Sequence, residues 1–256
     1  MKISGFMPLN AIRNLLSTVC LVVAAIALPS CGSDDEESNE PVAIEDTADL
    51  ILFIPDYKEI KFVAGERPSQ DADSVIMMIG GAFTGALLKE FKPSNVCGSY
   101  SSSGVFQKNV IGPRVTGTFT FVDGEPHFYY TNDKRTKEAD ANTILKDAAR
   151  RGGHGFVQEM LIHDGKIVPH TRSDKNENIF RAICLLDGKV VVAQSADKQP
   201  FGEFIDAMLA RGITEAIYTD MGFGWNYGWY RGRDRKVTEI FSIPTPYSSN
   251  WIVFTD

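Results

Sequence analysis

The sequence predicts an α+β fold: a mostly antiparallel, partly mixed β-sheet system with about three helices. Three observations carry this. Asp-Gly pairs at Asp123-Gly124, Asp164-Gly165 and Asp187-Gly188 each separate β-rich runs, the signature of tight hairpins. Many short apolar runs are bounded by Pro or Gly, as strands are. Helical periodicity with matching start and stop residues occurs at few places, and one of them lies between two strands, which predicts a crossover and local parallel pairing.

The chain of 256 residues opens with a targeting segment rather than fold. Lys2 and Arg13 are the only charges before Asp34, and the apolar run Val19–Leu28 leads into Leu28-Pro29-Ser30-Cys31. Leu three places before the Cys and Ser directly before it read as a lipoprotein signal peptide over 1–30. An ordinary signal peptide and a membrane anchor are the other readings, but a spanning helix needs about 20 apolar residues. Cleavage before Cys31 would put the lipid on that residue and move the formal charge from −7 to −9 through loss of Lys2 and Arg13. The expected location is the bacterial outer membrane, surface-exposed or periplasmic, with the membrane reached through Cys31. Ser33-Asp34-Asp35-Glu36-Glu37 begins an acidic linker expected over 31–48. An acidic chain without a basic cluster repels phosphates, so nucleic acid is not an expected partner.

The folded domain is expected over 49–256, as one unit with a sizeable core. Leu50–Ile54, Ile60–Val63 and Ser74–Ile79 read as strands. Gly80-Gly81 follows, able to offer backbone amides to an anion or simply to turn the chain. Phe83, Leu87 and Phe91 then fall at helical spacing and predict a short helix over Ala82–Phe91. Val115–Val122 and Glu125–Thr131 form the first hairpin. Ala139–Arg151 is a helix stopped by Gly152-Gly153. Gly155–Ile162 reads as one strand in which Glu159 faces solvent or serves as an acid. Ile179–Leu186 and Lys189–Ala193 form another hairpin, then Pro200–Arg211 is the strongest helix, with Phe201, Phe204, Ile205, Met208 and Leu209 on one stripe. Ile213–Tyr218, Val237–Ile243 and Trp251–Phe254 complete the strands.

No cofactor is expected, and no metal, because His127, His154, His163 and His170 are scattered and no Cys-x-x-Cys occurs. Cys97 and Cys184 could pair in an oxidising compartment, but Cys184 sits in an apolar run and reads as a free buried thiol.

The most distinctive stretch is Thr219–Arg231. Phe223, Trp225, Tyr227 and Trp229 alternate at period two, which places four rings on one side of an extended segment, with Gly222, Gly224 and Gly228 between them. They either pack into a hairpin's own core or form a platform for sugar faces. Asp220 opens the stretch as a turn cap or as a functional carboxylate.

The order Gly80-Gly81-x-Phe83, then Arg181-Ala182-Ile183 with its Asp187-Gly188 turn, then the amphipathic helix, a short strand and Asp220-Met221-Gly222, resembles the phosphodiester glycosidase family. The resemblance covers roughly residues 74–256 and is strongest over 179–231. The family has Asn where this chain has Ile79, and Asp-Gly-Gly-x-Ser where it has Asp220-Met221-Gly222-Phe223-Gly224, so Gly222 is kept and the serine is not. The resemblance implies hydrolysis of a sugar-1-phosphate diester, with a carbohydrate or glycan-phosphate as substrate. Its catalytic residues would be Asp220 as carboxylate, Arg181 as phosphate grip and Glu159 as a second acid or base, with His154 a weaker candidate. Gly80, Gly81, Thr219, Gly222, Trp225, Tyr227, Trp229 and Arg231 would contact substrate. A surface glycan-binding lipoprotein without catalysis is the rival reading.

Overall fold

The computed structural model describes residues 40–131 and 140–256. The expected signal peptide over 1–30, Cys31 and the acidic run at 33–37 lie outside the described residues. In chain order the strands and helices are β1 (Val42–Asp46), β2 (Leu50–Pro55), β3 (Glu59–Gly65), β4 (Val75–Gly80), β5 (Tyr100–Ser102), β6 (Val105–Gln107), β7 (Gly117–Val122), β8 (Glu125–Tyr130), α1 (Ala141–Arg150), β9 (His154–Gln158), β10 (Met160–His163), β11 (Lys166–Ile167), β12 (Arg181–Leu186), β13 (Lys189–Ser195), α2 (Phe201–Ala210), β14 (Glu215–Tyr218), β15 (Gly228–Arg231), β16 (Val237–Ile240) and β17 (Ser249–Thr255). They build three sheets in the orders β1-β2-β13-β12-β14-β10-β11, β16-β15-β4-β17-β3 and β6-β5-β9-β7-β8.

Among the described residues every ladder is antiparallel. The crossover from β13 through α2 to β14 exists, but the two strands do not pair. Both lie antiparallel to β12, which runs between them. All three Asp-Gly turns are hairpins, and in each both residues take positive φ: Asp123 54° and Gly124 85°, Asp164 50° and Gly165 68°, Asp187 50° and Gly188 78°. That is the turn whose twist matches the strands it joins.

The run Gly155–Ile162 is not one strand. It changes sheet at Glu159, with β9 pairing β7 and β5, and β10 pairing β14 and β11. Val42–Asp46, inside the stretch expected to be linker, is an edge strand whose Val42 is buried against β2.

Among the described residues two α-helices form rather than about three. Asp140 caps α1 by accepting from Asn142 N (2.9 Å) and Thr143 N (3.2 Å). Helix α2 lays Phe201, Phe204, Ile205 and Met208 on the seven-stranded sheet against Leu52, Ala182, Cys184 and Ala216. No helix forms over Ala82–Phe91. Its backbone donors and acceptors are taken by distant partners: Ala82 N donates to Asn250 Oδ1 (2.6 Å), Gly85 N to Asn95 O (2.8 Å), and Cys97 N to Phe83 O (2.7 Å). Leu87 is 63% exposed, so the apolar stripe has nothing to cover.

The main core lies between the sheets, where Phe62, Ile79, Phe119, Phe156, Ile183 and Ile252 meet. Cys97 and Cys184 are both free.

Candidate functional site

Strand β14 ends at Tyr218, and the chain leaves the sheet with Asp220 beside the end of β4. Asp220 N donates to Gly81 O at 2.8 Å, which ties the loop after β14 to the Gly80-Gly81 turn. A Cβ at Gly80 would stand 2.3 Å from the carbonyl oxygen of Trp225 and 3.2 Å from that of Asp220. Gly80 is therefore required for close approach of the loop. Gly81 N donates to Asn250 O (3.2 Å), so this amide is not free for an anion.

Only 8% of Asp220 is exposed. Burial pushes its carboxyl up to about 6, against the opposing effect of backbone N–H groups from Gly222 and Thr84 and the positive charge of Arg172. The Gly222 amide reaches Asp220 Oδ1 at 2.9 Å. The neighbouring thiol of Cys97 is raised by burial and by the Asp220 charge.

The cation of this site is Arg172, from the loop after β11. Its guanidinium lies 4.2 Å from the Tyr218 ring centre, 4.9 Å from Phe201 and 6.0 Å from Phe83. Its Nε and Nη2 each lie 2.8 Å from Glu159 Oε2. The chain's change of sheet at Glu159 points this acid inward. Glu159 is thus a buried partner of Arg172, not a solvent-facing strand residue. Burial pushes the Tyr218 phenol up to about 12. Arg172 also lines a cleft of about 300 Å³ with Arg114, Thr171, Ser173, Asn176 and Asn178. Sequence pattern does not point to Arg172, since Pro169–Asn178 is polar and has neither periodicity nor a motif.

The structure places several other expected site residues elsewhere. Arg181 has no exposed surface. Its Nε and Nη2 donate to Gln194 Oε1 (3.0 and 2.7 Å), its Nη1 has no partner, and burial pulls it down to about 9. It cannot grip a phosphate from there. Thr219 is buried and its hydroxyl donates to Arg181 O (3.3 Å). Arg231 is bound to backbone carbonyls, of Val75 at 2.8 Å, Gln70 at 2.5 Å, Arg235 at 3.0 Å and Ala72 at 3.2 Å, and so ties a loop together.

The four alternating rings do not share a face. Phe223 is 79% exposed, whereas Trp229 has no exposed surface and packs with Met78, Trp251 and Val253. Tyr227 is buried too, its hydroxyl donating to Glu239 Oε1 (3.0 Å) and accepting from Gln70 Nε2 (2.8 Å). The loop before β15 breaks the extended geometry that the period-two pattern implied. Trp225 alone stays half-buried beside Asp220, its Nε1 donating to Ser249 Oγ (2.9 Å). A Cβ at Gly222 would sit 3.3 Å from Asp220 Oδ1 and 3.9 Å from Trp225 Cε3, so the ring and the carboxylate share one corner. His154 lies on β9, with Nδ1 3.3 Å from Phe62 O, and burial lowers its pKa.

Among the described residues one group, His163, Asp164 and Glu215, has ligand atoms close enough for a metal, within 4.8 Å of one another. Glu215 already bonds His163 Nδ1 (2.9 Å) and accepts from Asp164 N (3.0 Å), so it closes the Asp164-Gly165 turn. Sequence spacing does not show this group because Glu215 comes from β14, the strand after α2, which is far along the chain and meets β10 only in the sheet.

No family model and no curated protein matches the chain. Among solved structures, the catalytic domain of zebrafish N-acetylglucosamine-1-phosphodiester alpha-N-acetylglucosaminidase, auto-inhibited by its pro-peptide, superposes with a TM-score of 0.55, covering 88% of this chain and 85% of that one at 11% identity. The likeness is one of fold. A hypothetical protein from Synechocystis matches more weakly, at a TM-score of 0.46 and 9% identity over 85% of this chain and 62% of that one. The zebrafish domain thus shares with this chain an α+β architecture of mostly antiparallel sheets.

Proposed function

We propose that the protein is a hydrolase of sugar-1-phosphate diesters, with Asp220 as the reacting carboxylate and Arg172 as the phosphate grip. The supporting observation is Asp220 itself: a buried carboxylate near pKa 6, held by two amides, at the corner shared with Trp225. The ionised carboxylate takes a proton from water as the water oxygen bonds to the anomeric carbon. The bond from that carbon to the phosphate oxygen breaks, and its electron pair stays on the departing phosphate monoester. That leaving group needs no proton, so one carboxylate suffices. Arg172 neutralises the phosphate with the guanidinium edge that Glu159 leaves free, and Glu159 positions Arg172. Trp225 offers a face to the sugar. The fold likeness to a glycosidase of this class supports the reading. At the cell, the protein is proposed to sit on the bacterial envelope through a lipid on Cys31.

The test uses a chain beginning at residue 38 and a panel of sugar-1-phosphodiesters. We expect kcat/KM to rise with pH through about 6, as Asp220 ionises. Asp220→Asn should lower kcat by about 10³-fold or more, within the span of a lost general base plus charge stabilisation. Arg172→Lys should cost about 10- to 100-fold, because a point charge replaces a paired fork. Turnover unchanged in Asp220→Asn would remove the assignment. Absence of turnover on every diester would favour the rival, a non-catalytic glycan-binding lipoprotein, which the missing serine of the Asp220 motif also suits.

A further inference from the structure

A second cleft, of about 630 Å³, is lined by Gly65, Arg67, Phe91, Thr245, Trp251 and Tyr247, the last stacked on Trp225. We propose that it binds a neutral oligosaccharide, a glycan-holding site separate from the Asp220 centre and independent of what that centre catalyses.

Four observations carry this. Tyr247 lies parallel to Trp225, with planes 10° apart and ring centres 6.4 Å apart, so an aromatic wall runs from the corner at Asp220 into the cleft. That wall is rigid. Trp225 Nε1 is held by Ser249 Oγ at 2.9 Å, and Tyr247 N is held by Thr245 Oγ1 at 3.2 Å. Thr245 N in turn donates to Gly224 O at 3.0 Å, which joins the loop carrying Tyr247 to the loop carrying Trp225. Second, the floor is preformed. Trp251 pairs in register with Gly80 at the foot of the Asp220 loop, and Phe91 packs on Gly65, whose Cβ position is 3.4 Å from that ring. Third, the charged lining is balanced. Glu66 and Arg67 stand side by side at the rim, and the Arg67 guanidinium is 5.5 Å from the centre of the Tyr227 ring. A lining with one charge of each sign, in a chain of net charge −7, disfavours a polyanion and suits hydroxyl groups that donate and accept. Fourth, the size fits. Pockets for small molecules span about 300–1,000 Å³, and this cleft has room for roughly two or three hexose rings.

Aromatic faces with flanking fork-shaped donors and carboxylates suit sugar rings, which present apolar C–H faces and polar edges. A purely apolar ligand would cover the charges of Arg67 and Glu66 and the Ser248 hydroxyl without pairing them.

The experiment titrates the chain from residue 38 with neutral trisaccharides (maltotriose, cellotriose, mannotriose and chitotriose) and follows tryptophan emission, since Trp251 lines the cleft and Trp225 stacks on the lining residue Tyr247. We expect saturable binding of at least one trisaccharide. Tyr247→Ala should weaken it about tenfold or more, Tyr247→Phe should keep it within about twofold, and Asp220→Asn should leave it unchanged. Isothermal calorimetry on the same set reads binding that does not change emission. No binding of any trisaccharide by either method would overturn the proposal. So would binding that Asp220→Asn abolishes and Tyr247→Ala spares, since that places the sugar at the Asp220 centre. Diester turnover enters neither outcome, so the reading of Asp220 as catalytic can fail while this one stands.

Discussion

Asp220 is held in a state that costs stability at neutral pH. Its folded pKa of about 6 lies above the ordinary carboxylate value of 3.8, because burial disfavours the anion more than Gly222, Thr84 and Arg172 favour it. A raised carboxyl stabilises the fold fully only below its unfolded pKa and loses that contribution as pH rises through about 6. Asp220→Asn should therefore be more stable than the parent at pH 8, by about 3 kcal/mol, with the gain gone by about pH 3. Urea melts at the two pH values check this, and a destabilised variant at pH 8 would contradict it. The residue was legible because a lone acid followed a strand and opened a glycine-rich run. Arg172 was not, since its role comes from three rings and an acid distant from it in sequence. Arg181 misled for the opposite reason. An arginine that opens an apolar strand has no pattern that separates a ligand grip from a charge sealed under Gln194.

The elements that sequence pattern decided are those whose reason is local. Asp-Gly turns fix three hairpins through positive φ at both positions, and Asp140 starts α1 through its own side chain. Elements decided by distant partners were not legible. The segment after Gly81 has helical spacing, yet Asn250 takes its first amide from the last strand of the sheet. The Gly80-Gly81 turn belongs to this class. Its function is to let the Asp220 loop close over β4. Gly80→Ala should cost about 3 kcal/mol, because the new Cβ meets two backbone carbonyls that cannot rotate away. A thermal melt reads the loss. An unchanged midpoint would mean that the loop can lift without penalty.

At the scale of the whole molecule, the number of sheets is set by where β9 hands over to β10. A single apolar run reads as one strand by composition, and only its partners divide it between two sheets at Glu159. The lower boundary of the fold moves for a similar reason. Residues 42–46 look like linker by charge, but β1 covers the edge of β2 and buries Val42. A chain trimmed to begin at Asp49 should lose about 2 kcal/mol from Val42 alone, together with the Arg211–Glu45 ion pair, and should self-associate through the bare β2 edge. Size-exclusion chromatography beside the chain from residue 38 checks this. Equal elution and equal melting of the two would show the first strand to be dispensable.

The position of β17 has a consequence for how the protein is made. Ser249–Thr255 lies in the interior of its sheet, between β4 and β3, although it comes after all the other described strands in chain order. A chain emerging from the ribosome can form the early hairpins at once, but β3 waits unpaired, and β4 keeps one open edge beside β15, until β17 arrives. The carboxyl-terminal strand also supplies Asn250 and Ser249, which hold the turn after β4 and the Trp225 ring. Synthesis that stops short of Ser249 therefore leaves open edges and an unbuilt centre together, and the nascent protein stays pliable until residues 249–255 have been made.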